Sequence, residues 1–178
     1  MSHVEPAPWA WNYCPICGGP LQCAHDGESM RPHCAPCRRF YYTNPAPAVC
    51  CFVANEKGDL LVVQRAEEPC RGQWSFPGGY MEVGESGEET ARRELWEETG
   101  LEAVRWRLFG ARAQGVCAEG AVLLLGYVAE EWHGALKAPE PTMTLDFFTP
   151  EQRPPLCFHL HRELLADYQA RERKKRAN

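Results

Sequence analysis

Two Cys-x-x-Cys pairs, Cys14/Cys17 and Cys34/Cys37, lie 16 residues apart near the start of this 178-residue chain. Nothing else restricts the fold of that stretch so tightly. The spacing suits a four-thiolate zinc site, in which each short turn points two thiolates inward and the second pair completes a tetrahedron. The competing reading is a pair of disulfides. Against it, Cys23, Cys50, Cys51, Cys70, Cys117 and Cys157 form no framework, and the first thirty residues show no basic start followed by an apolar run. Zinc is the expectation. Cys23, His25 and His33 lie between the pairs and are either alternative ligands or loop residues. Four protein ligands leave no open position, so the site is structural, and in small zinc modules such a metal contributes about 10 to 16 kcal/mol to folding.

Residues 12–42 therefore read as a zinc ribbon, preceded by an arm, Ser2 to Trp11, without periodicity. Thr43-Asn44-Pro45-Ala46-Pro47 reads as a stiff extended linker, because two prolines forbid helix. The expected organisation is an arm and ribbon at 1–45 and one further domain at 46–178. With 44% hydrophobic and 24% charged residues, the chain has enough apolar material for a core and too little charge for disorder. The longest nearly unbroken apolar run, Ala121 to Ala129, is half a membrane span, and a cytoplasmic protein is expected. The net charge is -5; Arg171, Arg173, Lys174, Lys175 and Arg176 against Glu172 make the tail +4 and leave -9 on the rest. An acidic body argues against nucleic acid as a partner, and the basic tail reads as a solvated helix end.

Beyond the linker, strand and helix signals alternate. Ala48 to Ala54 and Leu60 to Gln64 are short apolar runs joined by the turn Glu56-Lys57-Gly58-Asp59, and Arg105 to Ala113, Ala121 to Ala129 and Met143 to Phe148 are further strands. Ser86 to Thr99 is a helix with a capping box, Ser86 with Glu89, and Gly100 at its end. A second helix spans His159 to Arg173. A mixed sheet with helices packed on it, an α/β domain, follows.

The helix from Ser86 carries Glu94, Glu97 and Glu98 at i, i+3 and i+4, which at about 100° per residue share one face. Taken alone, this is an ordinary acidic face paired with Arg92 and Arg93. The preceding Trp74-Ser75-Phe76-Pro77-Gly78-Gly79-Tyr80 changes the reading, since glycines let a backbone carbonyl or amide approach a metal or a phosphate. Hard oxygen ligands without histidine select magnesium or manganese.

From Gly79 the order is five residues, Glu85, seven residues, then Arg93-Glu94-Leu95-Trp96-Glu97-Glu98-Thr99-Gly100-Leu101. This resembles the Nudix box, G-x5-E-x7-R-E-U-x-E-E-x-G-U with U aliphatic, at every fixed position. The resemblance implies a Nudix hydrolase: an α/β/α sandwich that uses magnesium or manganese to cleave a nucleoside diphosphate linked to another group. It further implies Glu94 and Glu98 as principal metal ligands, Glu97 as a further ligand, the Gly78 carbonyl as a backbone ligand and Arg93 as the residue that orients the glutamates. Glu85 joins through water or a structural contact. The general base varies across the family, and the candidates here are Glu97 and Glu140.

A zinc ribbon before such a domain is similar to two groups, the NADH pyrophosphatases and the smaller relatives of ADP-ribose and FAD pyrophosphatases. The second resembles this chain more fully, through Tyr42-Thr43-Asn44-Pro45 and the run Gly72 to Ser86; the Ser-Gln-Pro-Trp-Pro-Phe-Pro signature of the first has no counterpart after Leu101. The resemblance implies hydrolysis of ADP-ribose or FAD to AMP plus a phosphorylated product, in a homodimer. The alternatives are an NADH pyrophosphatase or RNA-decapping type of enzyme, and a non-catalytic nucleotide sensor. Met143 stands where relatives often carry a second acid after Glu140. Trp106, Tyr127, Trp132 and Phe148 read as core before ligand platform, and Arg65 and Arg112 as surface charges before phosphate ligands.

Overall fold

The computed structural model describes residues 11–117, 120–139 and 144–177. The arm before Trp11, together with Glu140 and Met143, lies outside the described residues. The chain divides into two compact units between Pro45 and Ala46.

In the first unit, β1 (Gln22–His25), β2 (Met30–Cys34) and β3 (Arg39–Phe40) form an antiparallel sheet in that order. The β1–β2 turn closes on Asp26, whose carboxylate accepts from the backbone N–H groups of Glu28 and Ser29 at 2.9 and 2.8 Å. Gly18, at φ +72°, donates to the Cys14 carbonyl at 2.8 Å and turns the first cysteine pair inward. Among the described residues of this unit, only Cys14 and Cys34 are buried.

The second unit is built on two three-stranded sheets. β4 (Ala46–Val53) pairs in parallel with β8 (Gly120–His133), which pairs antiparallel with β7 (Glu102–Cys117). β5 (Leu60–Gln64) lies between β6 (Trp74–Ser75) and β9 (Leu145–Phe148), antiparallel to both. Ala46 and Pro47, read as linker, open β4 instead; near the start of a strand a missing N–H costs little.

Period-two alternation makes this an α/β/α sandwich. Ala48, Cys50 and Phe52 of β4, with Leu60 and Val62 of β5, pack with Leu160 and Leu164 of α2 (His159–Ala177). Val49, Cys51 and Val53, with Leu61, pack on the other face with Ala91 and Leu95 of α1 (Gly87–Thr99). Adjacent residues of a strand point to opposite faces, so one continuously apolar strand feeds two cores. α1 begins where the Ser86 hydroxyl accepts from Glu89 N–H at 3.3 Å and the Glu89 carboxylate accepts from Ser86 N–H at 2.7 Å. It ends at Gly100, whose φ of +72° breaks the helix while its N–H still bonds the Trp96 carbonyl. Among the described residues, no helix is long and apolar enough to cross a membrane.

Candidate active site

The segment between β6 and α1 lies against β4. Cys51 N–H donates to the Pro77 carbonyl at 2.7 Å and Val49 N–H to the Gly79 carbonyl at 2.9 Å. Gly78 has φ +145°, and a Cβ there would lie 2.9 Å from the Cα of Cys50 and overlap the Val49 carbonyl oxygen. At Gly79 the obstacle is Glu94 itself, whose Oε1 would lie 2.5 Å from a Cβ. The two glycines are what let a helix carboxylate sit directly on the backbone of the turn.

Arg93 gathers most of the box. Its Nε and one terminal nitrogen hold both oxygens of Glu85 at 2.7 and 3.0 Å, the other donates to Glu94 at 2.7 Å and Glu97 at 3.2 Å, and the Tyr80 carbonyl accepts at 3.1 Å. Arg93 and the Glu82 N–H hold the Glu85 carboxyl down at about 2. Glu85 thus makes a direct structural contact with the residue that aligns the other acids.

Glu98 stands apart from this network. It accepts from Gly78 N–H at 3.0 Å, yet burial pushes its carboxyl up to about 7. Burial also raises Glu94, against the pull of Arg93. Two carboxylates resisting ionisation at one partly dry wall have the donor chemistry of a divalent-cation site: hard oxygens, like charges and no histidine. The donor set fits. Glu97 is placed differently, with its side chain 49% exposed against 14% for Glu94.

Glu94 and Glu98 line a cavity of about 360 Å³ with Gly78, Gly79 and Tyr80; Glu97 is not among the lining residues. Other parts of the lining are Arg65, Gln114, Leu124, Phe158 and His161. Arg65 corrects the sequence reading. It is no plain surface charge: its Nε donates to the Pro69 carbonyl at 2.7 Å, its guanidinium sits 4.9 Å from the Phe158 ring centroid, and its charge acts on the Glu98 carboxylate across the cavity that both residues line. Arg112 does behave as a surface charge, paired with Asp167 and, at 3.7 Å, with Glu163 of α2.

The four aromatic residues weighed as ring platforms are packing residues. Trp106 meets Tyr127 edge-on in the α1-side core, Trp132 stacks on Phe147 and donates to the Ala54 carbonyl, and Phe148 meets Trp74 edge-on. Phe158, which lines the cavity along with Phe76 and Tyr80, lies outside any strand and carried no periodic signal. His161, two residues into α2, was equally silent.

In the first unit, one ligand atom each from Cys14, Cys17, Cys34 and Cys37 falls within 4.8 Å of the others. Cys17 and Cys34 sulfurs are 3.6 Å apart and those of Cys14 and Cys37 3.8 Å. Sulfurs bonded to one tetrahedral zinc ion at about 2.3 Å stand about 3.8 Å from each other, so the cluster fits zinc and not disulfides. The Tyr41 hydroxyl, 3.0 Å from Cys14, holds that thiol down at about 6, while its neighbours push Cys37 up to about 12. Cys23 is exposed, His25 accepts from Gly27 N–H and His33 packs on Phe40, so none of the three joins the group.

Known proteins match this arrangement. The NUDIX domain family model covers residues 44–168. The chain is 31% identical over 128 residues to an ADP-ribose pyrophosphatase of Methanocaldococcus jannaschii, covering 71% of this chain and 75% of that one. It is 30% identical over 147 residues to the NAD-capped RNA hydrolase NudC of Vibrio vulnificus, covering 82% of this chain but 53% of the relative, so it spans about half that protein's length. The NUDIX domain of Shewanella oneidensis NrtR, complexed with ADP ribose, matches at a TM-score of 0.61 and 25% identity over 74% of this chain and 90% of the other. The fold, the intact box and the extent of these matches agree: the chain belongs to the NUDIX domain family.

Proposed function

We propose that this protein is a metal-dependent pyrophosphatase that cleaves a nucleoside diphosphate linked to a second group, of the ADP-ribose or FAD type, to AMP and a phosphorylated product. The observation that carries this reading is the shared cavity of Glu94, Glu98 and Arg65, which sets two carboxylates and a guanidinium around one space. A substrate with two adjacent phosphates and an apolar appendage matches that division of charge.

In this reading Glu94, Glu98 and the Gly78 carbonyl hold magnesium or manganese, with Glu97 as a further ligand at the exposed side. Held there, such a cation would supply positive charge against the diphosphate and against the charge that develops on the leaving phosphate. Arg93 fixes the carboxylates. Water adds to one phosphorus, the bridging P–O bond breaks, and the water's proton passes to one of the candidate bases, Glu97 or Glu140. Zinc on Cys14, Cys17, Cys34 and Cys37 is structural. The likeness to an ADP-ribose pyrophosphatase supports the substrate class. The likeness to a NAD-capped RNA hydrolase supports a second reading, a nicotinamide dinucleotide or its RNA-linked form.

The test is a product assay with ADP-ribose, FAD and NADH, each with magnesium and with manganese. AMP from ADP-ribose or FAD is the expected result, and preference for NADH selects the second reading. Glu98→Gln removes a charged metal ligand and should lower kcat by about 100-fold or more while leaving the fold intact. Retained turnover in that variant rejects the assigned metal site. Tight ADP-ribose binding with no turnover under either metal replaces the hydrolase with a sensor.

A further inference from the structure

His161 is the one histidine among the described residues that is buried. Its Nδ1 accepts a hydrogen bond from the backbone N–H of Phe76 at 3.2 Å. A ring nitrogen that accepts carries no proton, so in the neutral ring the proton resides on Nε2. Burial, reinforced by the nearby Arg65 charge, holds the ring neutral, with its pKa down at about 3. The ring is stacked on Phe76 at 5.9 Å and packed on Phe158 at 5.1 Å. With Nδ1 occupied, Nε2–H is the polar group left for His161 to offer the cavity that it lines.

Phe158 is the common support. One contact of its ring is with the Arg65 guanidinium, another with His161, and all three residues line the cavity. Arg65 and a neutral, Nδ1-satisfied histidine can only donate there. Val122, Leu124 and Leu160 supply apolar lining in the same cavity, and Ser75 and Gln114 add neutral polar groups. A guanidinium beside a second donor, in a lining that is partly apolar, favours an anionic acceptor with several oxygens over an amine.

We propose that Arg65 and His161 form a second anion subsite, which takes the phosphoryl group of the substrate that the Glu94–Glu98 wall does not hold. This rests on the reading of the cavity as a nucleoside-diphosphate site. His161 is a positioning residue: its Nε2–H fixes one phosphoryl oxygen so that the other phosphorus meets the carboxylate wall. The requirement it imposes is chemical. A ligand needs two linked phosphoryl groups to reach both walls, so a monophosphate engages only one.

Two substitutions separate the donor from the packing. In His161→Asn the shorter amide keeps an acceptor for Phe76 N–H and deletes the donor at the Nε2 position; in His161→Gln an amide N–H returns near that position. Loss of a hydrogen bond to a charged oxygen should raise KM for ADP-ribose about tenfold in His161→Asn with kcat within about threefold, and His161→Gln should recover most of the loss. Independently, the Nε2–H resonance of His161, followed in the turnover-silent Glu98→Gln chain with magnesium, should move saturably with ADP-ribose and stay fixed with adenosine. An unmoved resonance overturns the subsite, as does a His161→Asn variant of unchanged thermal midpoint whose KM equals that of the parent. A resonance that moves in a protein showing no hydrolysis supports the subsite and rejects the pyrophosphatase; normal hydrolysis with unaltered His161→Asn kinetics does the reverse.

Discussion

Both units of the chain gather like-charged ligand groups into a small volume, but they differ in what else is there. Around Cys14, Cys17, Cys34 and Cys37 there is almost nothing: the two buried residues described in that unit are themselves members of the cluster. Around Glu94 and Glu98 there are two full apolar cores, with Phe52, Phe76, Leu95 and Leu164 essentially inaccessible. In the ribbon the ligand cluster is the core. In the NUDIX unit it sits on the rim of a core that apolar packing has already made. On the proposed reading a cation would have two different jobs in one chain, folding in the first unit and chemistry in the second, and the surroundings of each cluster would decide which.

The sharpest way to break that comparison is to remove metal. Chelation, or Cys34→Ser, should abolish the β1–β3 amide signals and leave the NUDIX core signals in place, because zinc supplies about 10 to 16 kcal/mol in modules of this kind. Amide spectra with and without chelator, beside zinc analysis of the purified protein, read the outcome. A ribbon that keeps its strand pairing without zinc, or cysteines that prove oxidised, would end the contrast.

The complementary perturbation is smaller. Phe52 touches Phe76, Phe109 and Tyr168 at ring-centroid distances of 4.2, 4.8 and 5.1 Å. Phe52→Ala should cost the NUDIX unit about 3 to 5 kcal/mol, seen as a lower urea midpoint, without changing the zinc content. Loss of zinc in this variant would mean that the ribbon draws its stability from the larger unit and not from its own site.

What could be read without coordinates was whatever is local in the chain. The two cysteine pairs, the Ser86–Glu89 capping box, the Gly100 stop and the glutamate spacing on α1 each lie within a few residues, and the helix period relates the carboxylates directly. The strands β7 and β8, Glu102–Cys117 and Gly120–His133, run further than their apolar stretches and carry exposed cross-strand ion pairs of Arg105 and Arg107 with Glu130 at 3.1 and 2.6 Å that hydrophobic pattern does not register. Arg65, Phe158 and His161 were out of reach for another reason. They come together from β5's far end and the start of α2, and nothing about a lone arginine after a strand distinguishes a surface charge from a cavity cation.

The smallest effect is the one that tests whether the carboxylate rim is paid for by the core beneath it. In metal-free protein the Glu98 carboxyl is raised from 4.5 to about 7 by burial. Its contribution is fully present below pH 4.5, where both folded and unfolded chains carry the proton. Between pH 4.5 and 7 the unfolded chain ionises first, so stability falls as pH rises, and above pH 7 the loss is complete. The ceiling on that loss is about 3 kcal/mol. His161, held neutral down to about pH 3, slopes the other way over part of this range, since the unfolded chain takes up a proton below 6.5 that the folded chain refuses. The difference between the parent and Glu98→Gln removes the His161 contribution and isolates Glu98. Urea midpoints in chelator from pH 4 to 8 should therefore show the parent losing stability relative to Glu98→Gln as pH rises, and magnesium or manganese should narrow the gap at the alkaline end by replacing the proton. Parallel profiles would mean that Glu98 ionises without cost, and the rim would then need no cation to hold its charge.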